Sequence, residues 1–361
     1  MNIVTILGAR PQFIKAGPVS REIITLQQTN VNIEEVTVHT GQHYDANMSD
    51  IFFEEMKIPT PNYFLGIGGK SHGAMTGQMI EKIEDVLLKD KPDWVMVYGD
   101  TNSTLAGALA ASKLQIKIAH DEAGLRSFNM RMPEDINKIL TDRVCNVLLC
   151  PTQAAMNNLY NEAIENWNTK ASALLVGDVM QDDALFYKEL AQKPTHIHID
   201  TEFVLCTIHR AENTDNAKRL ADIVAALNEI SKEKQVVLPL HPRTKKILQT
   251  GSFIIENLTI TDPVAYLNMI WLLDNCSLVM TDIGGLHKEA YNFSVPCITM
   301  RDETEWVKLV EAGVNVLVGV DKIKIINAYQ SIRNNFSDEI GKPDLYGKVL
   351  ASQKAVEYIY L

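Results

Sequence analysis

The stretch TDIGGLHKEAYNF, from Thr281 to Phe293, begins like a β-strand, turns at two glycines and continues like an α-helix. A strand that feeds a helix in this way leaves the first backbone N–H groups of the helix without intrahelical partners. The helix dipole favours negative charge at the same end. The stretch therefore predicts an anion site at Gly284 and Gly285. The alternative is that the two glycines only make a tight turn.

The remainder of the chain repeats this order of strand and helix. Such alternation predicts an α/β fold with parallel sheets covered by helices on both faces. A polar segment, residues 188–202, divides the pattern into two Rossmann-like domains: residues 1–180, and residues 181–344 with the final segment 345–361 packing back on the first. The predicted strands are 3–7, 35–40, 94–98, 116–120, 147–150 and 173–176 in the first domain, and 203–207, 235–240, 258–261, 278–281, 297–300 and 314–318 in the second.

The amino-acid composition argues against several classes of function. The 361 residues are 46% hydrophobic and 22% charged, which is ordinary for a soluble protein, and the net charge of −11 argues against a nucleic-acid or anionic-membrane partner. The five cysteines show no C-x-x-C pair, so we expect reduced core thiols and no zinc site. With no signal-peptide pattern and no apolar run of about 18 residues, we expect a cytoplasmic protein.

Many predicted strands end in glycine or polar clusters. In open α/β sheets, ligands bind outside the carboxyl ends of the strands. We therefore expect these clusters to line one cleft, on walls that belong to the two domains and face each other. The segment GARPQFIK places Arg10 and Lys15 at the start of the first helix. A guanidinium and an ammonium beside a helix N-terminus suit a diphosphate. The alternative is two solvated charges on a helix start.

Acidic residues stand at the same predicted rim. Asp100, Glu122 and Glu134 follow strands or lie just beyond them, and His209 and Arg210 follow the first strand of the second set. Carboxylates and a histidine gathered in a cleft can act as a general acid and base. The neighbouring Asp121 and Asp135 are alternatives, and acidic residues at helix starts are often caps, as Asp100 before Thr101 could be.

Several motifs are excluded. Before the segment GIGGKSHG, Phe64 stands where the phosphate-binding loop needs a glycine, and within it Ser71 stands where a dinucleotide fingerprint needs one. We therefore expect neither ATP hydrolysis nor bound nicotinamide. His39, His43 and His120 lack the spacing of metal ligands, so we expect structural or substrate-contacting histidines and no metal.

Across nearly the whole chain, the ordered motifs resemble the non-hydrolysing UDP-N-acetylglucosamine 2-epimerases, which have the two-domain GT-B fold. The matching segments, in the family's order, are GARPQFIK, YGDT, HDEAGLRS, PEDIN, TIHRAEN, TDIGGLHKEA and RDETEW. The resemblance implies an isomerase that inverts C2 of a UDP-2-acetamido sugar, UDP-GlcNAc to UDP-ManNAc, for surface polysaccharide precursors. It also implies a homodimer without a cofactor.

The resemblance also assigns roles to matching positions. Gly284 and Gly285 would hold the UDP diphosphate, and Glu289 would bind the ribose. The other implied roles are catalytic for Lys15, Asp100, Glu122, Glu134 and His209, substrate-binding for Arg10, Arg126, Arg210 and Arg301, and binding of a second, activating UDP-sugar for Gln42 and His43.

Three positions depart from the family's pattern. The family usually has serine at Ile283, glutamine at His287 and a hydrophobic residue at Asp121. Loss of the serine hydroxyl removes one phosphate donor, so the diphosphate would depend more on backbone N–H groups.

The substrate and reaction class leave alternatives. The motifs also resemble the branch of the family that acts on UDP-2,3-diacetamido-2,3-dideoxyglucuronate, whose carboxylate would need a further cation, from Arg131, Lys138 or His287. A GT-B glycosyltransferase or a hydrolysing relative would use the same UDP site. A nucleotide-sugar-binding protein without turnover is the alternative outside enzymology.

Overall fold

The computed structural model of the protein describes residues 1–42, 53, 57–167, 169–199, 201–251, 253–304, 307–335 and 350–360. Its chain divides into two compact units. The first unit contains residues up to Asp183 and the last helix, and the second unit begins at Ala184.

The first unit is built on a parallel sheet with the order β3-β2-β1-β4-β5-β6-β7. Side chains on both faces of the sheet are buried, with Val4 and Ile6 on one face of β1 and Ile3 and Leu7 on the other, as a sheet covered on both sides requires. The strands are β1 (Asn2–Leu7), β2 (Glu34–His39), β3 (Tyr63–Phe64), β4 (Trp94–Tyr98), β5 (Lys117–Asp121), β6 (Val147–Cys150) and β7 (Ser172–Leu175).

Helices connect these strands on both faces. The helices are α1 (Arg10–Gln28), α2 (His72–Asp90), α3 (Asn102–Lys113), α4 (Pro133–Val144), α5 (Gln153–Asn161) and α6 (Val179–Leu190). The last helix, α14 (Ala351–Tyr360), packs against α1. Asp182 accepts hydrogen bonds from Ser352 N at 2.8 Å and Ser352 Oγ at 2.7 Å, which satisfies the first turn of α14.

The second unit repeats the design with a parallel sheet in the order β10-β9-β8-β11-β12-β13. Its strands are β8 (Phe203–Thr207), β9 (Gln235–Pro239), β10 (Leu258–Thr261), β11 (Leu278–Thr281), β12 (Cys297–Thr299) and β13 (Asn315–Leu317). The helices are α7 (Ala211–Thr214), α8 (Ala217–Ile230), α9 (Pro242–Thr250), α10 (Tyr266–Asn275), α11 (Gly284–Asn292), α12 (Val307–Glu311) and α13 (Lys322–Asn335).

The predicted fold class of two Rossmann-like parallel sheets is confirmed, and each of the twelve predicted strands is present. The sequence prediction missed β3, which has two residues and pairs with β2 at the end of the strand order. So short an edge strand gives no periodic signal.

The strand orders locate a switch point in each sheet. The chain leaves β1 in one direction towards β2 and returns to add β4 on the other side, and β8 and β11 are related in the same way. Parallel sheets leave a crevice for ligands at this point, outside the carboxyl ends of the two strands. The loops after β1 and β4, and after β8 and β11, are therefore the candidate binding loops of their units.

None of the helices in the described part of the chain has the length and apolar character needed to cross a membrane.

His39 at the end of β2 makes the stability of the first unit depend on pH. Burial lowers the pKa of the imidazole from 6.5 to about 4, and the Nδ1 atom accepts a hydrogen bond from Gly41 N at 2.8 Å. The unfolded chain therefore binds a proton near pH 6.5 that the folded chain binds only near pH 4. This contribution to stability is complete above pH 6.5 and is lost as the pH falls towards 4.

We predict that His39→Asn removes this dependence, because the Asn side-chain oxygen still accepts from Gly41 N but does not titrate. Between pH 6.5 and 4, the wild type should lose about 3 kcal/mol more unfolding free energy than the variant. Urea unfolding of both proteins across this range measures the difference. Parallel curves would assign the pH dependence to other groups.

Candidate active site

One buried amide holds together the loops after β1 and β4. The Gln12 Oε1 atom accepts hydrogen bonds from Gly8 N at 2.8 Å and Ala9 N at 3.1 Å. Its Nε2 atom donates to Tyr98 O at 2.7 Å and to the Thr104 hydroxyl at 2.9 Å. The two loops at the switch point of the first sheet are therefore fixed relative to each other.

Two carboxylates and two ammonium groups cluster beside these loops. Lys15 on α1 forms an ion pair with Glu122, which follows β5, and the two side chains are 15% and 11% exposed. Asp100, which follows β4, pairs with Lys138 on α4 at 2.9 Å. Burial by itself would lower the pKa of Lys15, but the charges of Glu122 and Asp100 outweigh it and raise the pKa. The structure thus brings together three of the predicted catalytic residues.

The backbone around this cluster is constrained. Glu122 lies in the left-handed region with φ +68°, at a cost of about 1–2 kcal/mol for a residue with a Cβ atom. Gly99 has φ +64°, and a Cβ atom there would lie 3.2 Å from Glu122 Oε2 and 3.4 Å from Lys15 Nζ. A glycine at 99 therefore leaves room for the ion pair. Strained residues held in this way are concentrated at functional sites.

Asp100 is not the cap of the helix that follows it. The N-cap of α3 is Thr101, whose hydroxyl accepts from Thr104 N at 3.3 Å. Asn137 on α4 donates to the backbone oxygen of Asp100 at 2.9 Å. The Asp100 carboxylate is consequently directed to Lys138 and not to the helix.

The remaining predicted residues of the first unit have different surroundings. Glu134 is exposed on the first turn of α4, and Arg10 is partly buried at the start of α1. The Gln42 Oε1 atom accepts from Ser103 N at 3.0 Å and Ser103 Oγ at 2.7 Å at the start of α3. His43 lies outside the described residues.

Arg126, predicted to bind substrate, is instead buried within the first unit. Its side chain is 1% exposed, and its guanidinium pairs with Asp142 at 2.8 Å and Glu162 at 2.8 Å. Arg126 NH1 also donates to Leu125 O at 2.9 Å. These protein acceptors, rather than an open surface, surround the guanidinium.

In the second unit, one buried carboxylate organises three loops at strand ends. Asp282 after β11 accepts hydrogen bonds from His209 N at 2.9 Å, Arg210 N at 3.1 Å and Asn213 Nδ2 at 2.9 Å. The same Asn213 amide group donates to Met300 O at 3.1 Å, directly before Arg301. Sequence analysis missed Asp282 and Asn213, although both stand within motifs that it quoted.

The Gly-Gly turn lies at the N-terminus of α11, as its pattern predicts. Its N-cap is Ile283, whose side chain forms no capping hydrogen bond. Gly285, the second residue of the helix, is exposed, and a Cβ atom added there would have no neighbour within 4 Å. Glu289 is partly buried further along the same helix. The first turn of α11 therefore presents backbone N–H groups beside open space.

The exposed ring of His209 has an aromatic neighbour that the sequence analysis did not select. The ring of His241, after β9, lies edge-to-face with it at 5.6 Å between centroids. His241 also caps α9 by accepting from Arg243 N at 3.3 Å. The sequence signal that could have identified His241 is its position in the segment PLHPRT, at the end of a predicted strand.

The three cations proposed for a substrate carboxylate differ in exposure. Arg131 is exposed, and its backbone N donates to Asn129 Oδ1 at 3.1 Å. Lys138 pairs with Asp100 at 2.9 Å. His287 is buried, with Nε2 3.4 Å from the Thr299 hydroxyl.

The residues that the structure describes contain no group of three or more His, Cys, Asp or Glu side chains that could hold a metal ion.

Comparisons with known proteins show the family of the chain. The family model for UDP-N-acetylglucosamine 2-epimerase matches residues 25–360. The chain belongs to this family. The UDP-2,3-diacetamido-2,3-dideoxy-D-glucuronate 2-epimerase of Pseudomonas aeruginosa is 55% identical to it over 361 residues, which cover 99% of both chains.

Solved structures show the same fold. The Methanocaldococcus jannaschii UDP-GlcNAc 2-epimerase in complex with UDP-GlcNAc and UDP matches with a TM-score of 0.80 and 41% identity, covering 99% of both chains. The Neisseria meningitidis UDP-GlcNAc 2-epimerase bound to UDP-GlcNAc matches with a TM-score of 0.81 and 30% identity, again over 99% of both chains. The predicted GT-B architecture and epimerase family are confirmed.

Proposed function

We propose that the protein inverts C2 of a UDP-2-acetamido sugar by eliminating UDP and adding it back. The observation that carries the proposal is the cluster of Lys15, Glu122, Asp100 and Lys138 beside a switch point of the first sheet. C2 of such a sugar has no adjacent carbonyl group that would acidify its proton. The enzyme therefore has to provide a base near C2 and stabilise the charges that form.

The elimination breaks two bonds of the sugar. The C1–O bond to UDP breaks and its electron pair leaves with UDP, while a base removes the proton from C2 and the C–H electrons form the C1–C2 double bond. For the addition, an acid delivers a proton to the opposite face of C2, and a UDP oxygen attacks C1. We assign these proton transfers to Asp100 and Glu122: one, ionised, takes the C2 proton in the elimination, and the other, protonated, delivers its proton in the addition. Proton exchange with solvent then restores both groups, and Lys15 and Lys138 stabilise whichever carboxylate is ionised.

We assign the diphosphate to the first turn of α11. Its backbone N–H groups and dipole would stabilise the negative charge of departing UDP. The exposed ring of His209 would donate to the same anion, and Glu289 would bind the ribose hydroxyls. The other residues that we propose as ligands or participants are Arg10, Arg210, Arg301 and Glu134.

We favour UDP-2,3-diacetamido-2,3-dideoxyglucuronate as the sugar. The Pseudomonas aeruginosa relative named for it is 55% identical over 99% of the chain, whereas the Methanocaldococcus jannaschii structure with UDP-GlcNAc is 41% identical. The exposed Arg131 would then supply a cation for the carboxylate. UDP-GlcNAc is the second candidate, because the solved relatives are named for it or contain it.

The proposal also includes the regulation of the enzyme and its location in the cell. We propose that a second UDP-sugar activates the enzyme by binding near Gln42, and that the enzyme works in the cytoplasm on precursors of surface polysaccharides. Its five cysteines are all free and buried, as is usual in a reducing compartment.

We predict that Asp100→Asn and Glu122→Gln each reduce kcat by about 100-fold or more, because each removes a carboxylate at nearly constant shape. The assay is NMR of each candidate sugar with enzyme in D2O, which detects the epimer and deuterium at C2. UDP affinity, measured by calorimetry, should remain within about threefold if these groups act on the sugar rather than on UDP.

The same assay separates the alternatives. Net release of UDP and a free sugar would indicate a hydrolase, and a requirement for an acceptor would indicate a glycosyltransferase. Binding without deuterium uptake from either sugar would indicate a binding protein. Near-native rates in both variants would remove Asp100 and Glu122 from the mechanism.

We predict that Gly285→Ala weakens UDP binding about tenfold without loss of stability. Alanine favours a helix by up to about 1 kcal/mol over glycine, but its methyl group would occupy the space proposed for a phosphate oxygen. Calorimetry with UDP and a melting curve measure the two effects. The matched control is Gly73→Ala, because Gly73 is also the second residue of its helix and has no neighbour within 4 Å of an added Cβ atom. Unchanged UDP affinity in Gly285→Ala would place the diphosphate elsewhere.

We also propose a homodimer formed through the segment 128–140 of the first unit. This segment exposes several large apolar side chains, which in a soluble protein often mark an interaction site. They are Phe128, Met130, Met132, Ile136 and Leu140.

Sedimentation velocity at micromolar concentration should therefore give a dimer for the wild type and a monomer for Leu140→Glu, since a buried unpaired carboxylate opposes association. The control is Ile254→Glu, an equally apolar exposed position in the second unit. A monomeric wild type, or a dimer in both variants, would contradict this interface.

A further inference from the structure

A buried group of charged side chains lies behind the loops that carry Asp100 and Glu122. His120 on β5 is fully buried, and its Nδ1 atom lies 2.7 Å from Asp142 Oδ1. Its Nε2 atom lies 2.7 Å from Gly99 O. Both neighbours are acceptors. A neutral imidazole has one N–H group and could donate to only one of them, whereas an imidazolium donates to both.

The second oxygen of Asp142 continues the network. Asp142 Oδ2 lies 2.8 Å from an Arg126 nitrogen and accepts a hydrogen bond from Gly124 N at 3.2 Å. Burial by itself would raise the pKa of Asp142, but hydrogen bonds and charges of His120 and Arg126 outweigh it and lower the pKa. An ionised carboxylate is thus paired with the Arg126 guanidinium and hydrogen-bonded to Gly124 N, with the His120 ring against its other oxygen.

The network ends on backbone groups beside both candidate catalytic carboxylates. Gly99 O belongs to the peptide unit that leads directly into Asp100, and Gly124 is two residues after Glu122. Gly99, Glu122 and Gly124 all lie in the left-handed region, with φ +64°, +68° and +76°. Asn158 Nδ2 donates to Gly124 O at 2.9 Å, so this turn is held at both its N–H and its carbonyl group.

We propose that His120 and Asp142 are positioning residues: the His120 ring holds the peptide unit before Asp100 through Gly99 O, and Asp142 holds the turn after Glu122 through Gly124 N. An ionised Asp142 accepts from one turn and, through the His120 ring, binds the other. The inference rests on the proposed function, in which Asp100 and Glu122 transfer the C2 proton. A reaction that uses two carboxylates on one carbon atom depends on their spacing, since small misplacements cost large factors in rate.

A purely structural role for the network is the competing explanation. It predicts that any substitution of His120 lowers stability and that the remaining folded enzyme retains its rate. Positioning predicts instead that the rate depends on which of the two hydrogen bonds is kept. Two amide substitutions separate these cases, because the Asn side chain ends near the imidazole Nδ1 position and the Gln side chain near Nε2.

The experiment compares His120→Asn with His120→Gln. Both replace the ring with a neutral amide, but His120→Asn keeps a donor for Asp142 only and His120→Gln keeps a donor for Gly99 O only. We expect kcat of His120→Asn to be at least tenfold below that of His120→Gln, with KM for the UDP-sugar within threefold. Melting temperatures should be similar, and UDP affinity should be unchanged because the proposed diphosphate groups belong to the second unit.

Equal kcat values in the two variants, or a lower value in His120→Gln, would overturn the proposal. Asp100→Asn and Glu122→Gln are measured in the same assay. If they are inactive while the two His120 variants are equal, only the positioning role fails. If they are active, the proposed function itself fails.

A measurement on the wild type covers the case in which neither variant folds. Nitrogen-15 spectra of protein with labelled histidine distinguish a ring nitrogen that carries a proton from one that does not. We expect the assigned His120 signal to show an N–H group on Nε2, the nitrogen that faces Gly99 O. An Nε2 atom without a proton in the folded protein would overturn the proposal.

Discussion

The ion pair between Lys15 and Glu122 is the interaction on which the first unit's candidate site depends. It joins the first helix to the loop after β5, which are separated by 107 residues in the chain. Glu122 has a left-handed backbone, and Gly99 lies against both charged ends, 3.2 Å from Glu122 Oε2 and 3.4 Å from Lys15 Nζ when measured from an added Cβ atom. The ion pair, the turn at Glu122 and the glycine at 99 therefore pack as one unit.

The two units hold their strand-end loops in place with different interactions. In the first unit, the loops at strand ends are held by charges: Lys15 with Glu122, Lys138 with Asp100, and the buried network of His120, Asp142 and Arg126. In the second unit, the buried Asp282 accepts from backbone and amide N–H groups of the loop after β8. The loops of the first unit are therefore held mainly by ion pairs, and those of the second unit by hydrogen bonds to one buried carboxylate.

The charged cluster of the first unit and the Asp282 hydrogen bonds of the second unit both follow from the strand orders of the two sheets. Parallel strands place all their carboxyl ends at one edge of a sheet, and the switch points between β1 and β4 and between β8 and β11 open that edge to a ligand. Gln12 in the first unit and Asn213 in the second each bond groups from two loops at that edge. The motifs shared with the family therefore have a physical explanation. They are far apart in sequence, but within each unit the parallel strands bring them to one edge of a sheet.

The sequence by itself determined the twelve main strands, because continuous apolar runs followed by helical periodicity specify buried parallel strands wherever they occur. It also placed Asp100 and Glu122 at a sheet edge, since polar residues just after a buried strand lie there, and their catalytic role stays a prediction. It did not determine β3, which is too short for a periodic signal, or the surroundings of Arg126, whose charge in a motif gave no sign of burial.

Only the tertiary structure decided which polar residues pair with which. The ion pairs of Arg126 with Asp142 and Glu162, the contact of Lys138 with Asp100, and the contacts of Asp282 with His209 and Asn213 join residues from different segments. Periodicity reports the environment of one segment at a time. The partner of a charged side chain depends on how segments pack against each other, and that information appears only when the chain is folded.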